Sequence, residues 1–104
     1  MSLLLGKFFV SPDCPKCKMV RERVMQVLSS QGVDFIEFDV TNLEGEVEAV
    51  LYNVKSLPCL VVCERGGEER EVARYSSSFF EEWDGRRFPL PGSTLRAIHE
   101  EDRI

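Results

Sequence analysis

Hydrophobic residues along this chain change period several times, and each change marks an element. Leu4-Leu5-Gly6-Lys7-Phe8-Phe9-Val10 is an apolar run of strand length, so residues 4–10 read as a buried strand. Ser11-Pro12-Asp13 is a turn, with Ser11 or Asp13 as the cap of a following helix. Pro15 falls at the first helical position, where its missing N–H costs nothing. The helix runs to about Ser30, carries Val20, Val24, Val27 and Leu28 on one stripe, and is stopped by Gly32. Residues 34–40 then alternate, with Ile36, Phe38 and Val40 on one face and Glu37 and Asp39 on the other, which is a strand.

Thr41 or Asn42 caps a second helix ending near Tyr52, with Val47, Val50 and Leu51 expected inward. Residues 58–63 form a third strand. Glu64-Arg65-Gly66-Gly67-Glu68 is a hairpin turn, and 71–75 returns as an antiparallel edge strand. Ser76-Ser77-Ser78 is a loop or the cap of a short turn. Phe79, Phe80, Trp83 and Phe88 read as a small satellite core, with a partner-binding lip as the alternative. Ser93 or Thr94 caps a last helix over 95–102, with Leu95 and Ile98 inward. The order is β-α-β-α-β-β-α, with 76–92 as an insertion before the last helix.

At 104 residues, 43% hydrophobic, the chain is one domain, 1–104, that needs no disulfide staple to fold. A net charge of -5 argues against nucleic acid as a partner, and no apolar run approaches the ~20 residues of a membrane span. The first residues lack the basic region and cleavage site of a secretory leader, so a cytoplasmic location with reduced thiols is expected. Charge is uneven. Lys7, Lys16, Lys18, Arg21 and Arg23 face only Asp13 and Glu22 in the first helical region, whereas 34–50 carries six acids and no base. Two solvated faces that attract each other account for this; a positive rim around the cysteines is the alternative.

Cys14-Pro15-Lys16-Cys17 carries the chemistry. Cys17 lies three residues before Val20 and seven before Val24, so it extends the buried stripe, while Cys14 sits at the open helix end. One accessible and one sheltered thiol are expected. Residues i and i+3 on a helix are close enough to bridge. Unpaired N–H groups, the helix dipole, Lys16 and Lys18 all favour a Cys14 thiolate, and Asp13 opposes it. Cys14 would attack a substrate disulfide and Cys17 would resolve the mixed disulfide. Zinc is the competing use of CxxC and needs further ligands from Cys59, Cys63 or His99. On one strand Cys59 and Cys63 lie ~13 Å apart and cannot share one ion. Lys18 also stands where a zinc knuckle expects glycine, so no metal is assigned. Cys59 and Cys63 read most simply as small core or edge residues; Cys59, next to Pro58, has a third redox thiol as its alternative, and Cys63 near the strand end reads as structural. A proline leading a buried strand is disfavoured unless it opens the strand or is cis. A cis Leu57–Pro58 bond would leave the Leu57 backbone free to pair with an extended substrate.

With Cys14-Pro15-Lys16-Cys17 after a first strand and Ser56-Leu57-Pro58 before the third, the chain resembles the thioredoxin-like superfamily, nearest its compact glutaredoxin/redoxin branch. The resemblance implies an α/β fold with a four-stranded mixed sheet flanked by helices. It implies Cys14 as nucleophile, Cys17 as resolving thiol and Pro58 as a cis-proline beside the substrate backbone, with Pro15, Lys16 and Leu57 in support. It further implies a monomeric protein-disulfide oxidoreductase using a redox-active disulfide and no bound cofactor. A disulfide-bearing protein would be the substrate, and a reductase or glutathione the electron source. Against glutathione, Gly66-Gly67 precedes the last strand rather than following it, and Lys16 replaces the usual aromatic residue. Asp13 replaces the tryptophan usual before the first cysteine, and residues 3–10 lack the usual buried acid. A metal-binding module and a redox-inactive adaptor are the alternatives on the same fold.

Overall fold

The structure, a computed structural model, describes residues 3–91. The last helix expected over 95–102, with Leu95, Ile98 and His99, lies outside them. The described residues follow the order β1 (Leu4–Val10), α1 (Pro15–Ser30), β2 (Val33–Asp39), α2 (Leu43–Leu51), β3 (Cys59–Glu64), β4 (Arg70–Tyr75) and α3 (Ser77–Glu82). The strands form a mixed sheet in the order β2-β1-β3-β4. β1 pairs parallel with β2, Leu4 opposite Val33 through Val10 opposite Asp39, and antiparallel with β3. The α/β architecture is the one expected. β3 begins one residue later than the sequence suggests, at Cys59. None of the described helices is long and apolar enough to cross a membrane.

Strand alternation divides the sheet into two apolar layers. Leu4, Phe8, Leu60, Val62 and Tyr75 face α1 and pack with its Val24, Val27 and Leu28. Phe9, Phe38, Cys59, Val61 and Cys63 form the other layer, edged by Ala49 and Tyr52. β2 contributes to both: Val33 and Phe35 belong to the α1 layer, so this strand is less one-sided than its alternation suggests. The aromatic residues after β4 are not a satellite. Phe80 and Phe88 are buried in the α1-side core, where Phe80 meets Phe8 edge-on at 6.1 Å and Trp83 stacks on Phe88 at 4.6 Å. Gln31, the residue capping the C-terminus of α1, fixes this segment reciprocally. Its Nε2 donates to the Phe88 carbonyl (2.9 Å) and its Oε1 accepts from the Phe88 N–H (2.6 Å). The Tyr75 hydroxyl donates to the Pro89 carbonyl.

α2 is turned opposite to expectation. Val47, Val50 and Leu51 face solvent, 49%, 74% and 70% exposed, and Ile36 on the neighbouring edge strand is 38% exposed. The cause is the small residue at Gly45. Its N–H caps onto Asn42 Oδ1 (2.9 Å), and a Cβ there would lie 1.9 Å from the Asp39 carbonyl oxygen. Backbone approach at that distance puts Gly45, Glu48 and Ala49 toward the sheet and leaves the bulky aliphatics outside.

Glu48 is drawn inward by Lys7, whose side chain is buried in the α2-side layer. Lys7 Nζ donates to Glu48 Oε1 (2.8 Å), to the Tyr52 hydroxyl (3.3 Å) and to Glu69. The Tyr52 hydroxyl also donates to Glu69, and the Cys63 thiol donates to Tyr52 (3.4 Å). Burial pulls the Lys7 ammonium down, but the hydrogen bonds to Glu48, Glu69 and Tyr52 outweigh it and leave the pKa raised. Lys7 is therefore no part of a rim around Cys14. Two contacts do join the basic stretch to the acidic one: Lys7 with Glu48, and Arg21 with Glu37 at 2.6 Å.

Two tests follow from this packing. Gly45→Ala gains about 1 kcal/mol of helix propensity, but the clash with the Asp39 backbone should outweigh it and leave a net loss of about 2 kcal/mol in urea unfolding. Equal or greater stability would refute the close approach. The Glu69 carboxyl is lowered from its ordinary 4.5, first by Lys7 and then by Tyr52. A depressed carboxylate stabilises the fold above its unfolded pKa and loses that contribution as pH falls through the folded value. Glu69→Gln should therefore flatten the stability profile below about pH 4.5, measured by denaturant midpoints across pH. An unchanged acid limb would remove Glu69 from the network.

Candidate active site

Four residues, Ser11 to Cys14, connect the end of β1 to α1, so the CxxC stands where the central strand leaves the sheet. Cys14 itself, rather than Ser11 or Asp13, is the N-cap residue, with extended backbone at φ -105 and ψ 99, and Pro15 opens the helix. The Cys17 N–H donates to Cys14 Sγ (3.1 Å), and the Cys14 N–H donates to the Ser11 carbonyl (3.1 Å). The two cysteines are joined as a disulfide with Cα atoms 5.3 Å apart, inside the range such a bond requires. Cys14 is half-buried and Cys17 is 2% exposed, the asymmetry expected from the helical stripe.

Pro58 is buried, and the Leu57–Pro58 peptide bond is cis. Cys59, the next residue, pairs with Phe9 near the end of β1. The strand register thus brings the entry of β3 to the edge where the chain departs for Cys14. Leu57 lies before the first paired residue of β3. Lys18 is exposed in the first turn of α1, and Lys16 is half-buried.

Cys59 and Cys63 lie in the α2-side layer, on the sheet face away from α1. Burial raises the pKa of both thiols. At Cys59 the Arg74 charge partly offsets this, and at Cys63 the hydrogen bond to Tyr52 does. Among the described residues, no group of three or more His, Cys, Asp or Glu could hold a metal ion. A groove of about 220 Å³ lies beside the buried cysteine, lined by Val10, Pro12, Cys17, Arg21, Glu37 and Asp39 among others. Sequence reasoning missed this groove because it joins the first turns of α1 to the end of β2, far apart in the chain. It also missed the Lys7 cluster, for which a lysine inside an apolar strand run was the available signal.

A dithiol at the N-terminus of a helix, with a proline at the head of the adjacent strand, defines the redoxin class of the thioredoxin-like fold. Solved structures share that fold. The mitochondrial thioredoxin 3 of Saccharomyces cerevisiae, in its oxidized form, superposes with a TM-score of 0.61 at 17% identity, over 96% of this chain and 80% of that one. Fasciola hepatica thioredoxin gives 0.61 at 22% identity, over 94% and 79%. A probable thioredoxin of Archaeoglobus fulgidus is 33% identical over 60 residues, 58% of this chain. The match spans 66% of that relative's length. The glutaredoxin family model matches residues 7–66, and the chain belongs to that family.

Accessibility and thiol pKa give a test. After reduction at pH 8, iodoacetamide should modify Cys14 first, and leave Cys59 and Cys63 unmodified until denaturant is added, as read by peptide mass spectrometry. Raised thiol pKa values keep Cys59 and Cys63 protonated and unreactive. Early labelling of Cys59 would contradict its buried position.

Proposed function

We propose that this protein reduces disulfides in other proteins, using Cys14 as nucleophile and Cys17 as resolving thiol. The observation that carries the reading is the Cys14–Cys17 pair at the head of α1, with Cys14 half-buried and Cys17 buried. In the reduced protein, the Cys14 thiolate attacks one sulfur of the substrate disulfide. A Cys14–substrate bond forms, and the other substrate sulfur leaves as thiolate. The Cys17 thiolate then attacks Cys14 Sγ, expels the second substrate thiolate and closes the Cys14–Cys17 disulfide. Two electrons pass from the protein to the substrate, and an external dithiol or glutathione must return them. Orphan N–H groups at the start of α1 and the Lys16 and Lys18 charges favour the attacking thiolate. The Leu57 backbone, lying before the ladder of β3, is assigned to pair with the substrate main chain.

Titration against dithiothreitol, with thiols trapped and read by mass spectrometry, tests the reading. A reversible Cys14–Cys17 couple near roughly -200 to -270 mV is expected. Cys14→Ser should abolish reduction of a model protein disulfide. Cys17→Ser should accumulate a mixed disulfide through Cys14. If both cysteines stay reduced across the titration, or zinc protects them, the reading fails and a metal-binding module replaces it.

A further inference from the structure

The outward face of α2 is an exposed apolar surface that the dithiol chemistry does not use. Leu43, Val47, Val50 and Leu51 are 78%, 49%, 74% and 70% exposed. At about 3.6 residues per turn they fall in one arc. Glu44 borders that arc on one side and Glu46 on the other, both exposed. α2 carries no base; Lys55, just past the helix, is the nearest in sequence. A stripe of aliphatics between two acidic borders is a surface for a helix of opposite design.

We propose that this face docks an amphipathic helix of a partner protein, with aliphatic residues on the contacting stripe and Lys or Arg along its borders. A second copy of this chain is the less suitable occupant. It would set Glu44 and Glu46 against their own copies, and like charges juxtaposed at an interface oppose association. Four aliphatic side chains on one nine-residue helix also fall well short of the about 800 Å² per partner that a stable interface buries. A short, charge-steered helix contact suits a transient partner. α2 begins just after β2 ends, at the edge of the sheet where β1 also ends, because the two strands are parallel. The Leu43 end of the stripe therefore lies at the sheet edge where the chain departs for Cys14, on the face opposite α1.

The test uses the full chain and a fluorescein-labelled amphipathic peptide of leucine, alanine and lysine, with the leucines on one stripe and the lysines along its borders. A matched peptide with glutamate borders is the control. Fluorescence anisotropy should show the lysine peptide binding roughly tenfold more tightly than the glutamate peptide, with the margin shrinking as salt rises. Val47→Lys with Leu51→Lys should lower that affinity roughly tenfold, with thermal unfolding unchanged because both side chains are exposed. Glu44→Lys with Glu46→Lys should reverse the preference between peptides. Met19→Ser, at an exposed apolar site on α1, should change nothing. The proposal stands apart from the dithiol reading: Cys14→Ser with Cys17→Ser should bind the peptide as the wild type does. Three results would overturn it: no binding of the lysine peptide to the full chain, equal binding of both peptides, or undiminished binding by the stripe variant. Sedimentation showing a dimer that Leu51→Lys dissolves would also overturn it, because the occupant would then be a second copy.

Discussion

Everything in this molecule is arranged around β1, a strand paired on both edges and covered on both faces. Its partners β2 and β3 satisfy its backbone, and its side chains alternate between the α1 layer and the α2 layer. Because β2 lies beside it in parallel, no hairpin can join the two. The chain must climb out through Ser11-Pro12-Asp13, cross over the sheet as α1 and return as the parallel strand β2. The crossover sets the position of the CxxC, because the first residues of the helix stand at the C-terminal edge of the central strand. The dithiol site is thus a consequence of topology before it is a matter of chemistry.

Lys7 is the exception that this strand imposes on the rest of the fold. An ammonium in a doubly covered strand is tolerated only with partners. Glu48 from α2 and Glu69 from the segment leading into β4 both bond to it, and Tyr52 closes the group. The arrangement ties three separate parts of the chain to the α2-side face. It also fixes the rotation of α2, since Glu48 must point inward for the pair to form. With Gly45 and Ala49 on the same side, the inward face is small and polar and the outward face large and apolar.

That inversion shows what could be read from the sequence and what could not. Strand runs, helix limits, the hairpin at Gly66-Gly67 and the accessible and sheltered cysteines were legible, because each depends on local period, caps or turn residues. The stripe Leu43, Val47, Val50, Leu51 was legible as a stripe. Its direction was not, since periodicity reports that a helix has an apolar face and says nothing of what lies opposite. The deciding fact, the Asp39 carbonyl against Gly45, belongs to the tertiary structure. The aromatic residues after β4 were visible as a cluster, but their membership of the principal core depended on Gln31, 57 residues earlier than Phe88.

The site itself is built on the residue that caps α1. Cys14 is the N-cap of α1, and its sulfur accepts the Cys17 N–H. A cap acceptor is strengthened by negative charge, because the helix terminus presents unpaired donors and a positive dipole end. In the proposed reaction, the charge that makes Cys14 the attacking group would therefore also make it a better cap. Ser11 or Asp13 in that role would satisfy the helix terminus independently of the sulfur, and the thiolate would lose that stabilisation. The cap that sequence reasoning assigned to neighbouring residues is instead the Cys14 sulfur, so in the proposed reaction helix stability and thiolate formation draw on the same hydrogen bond.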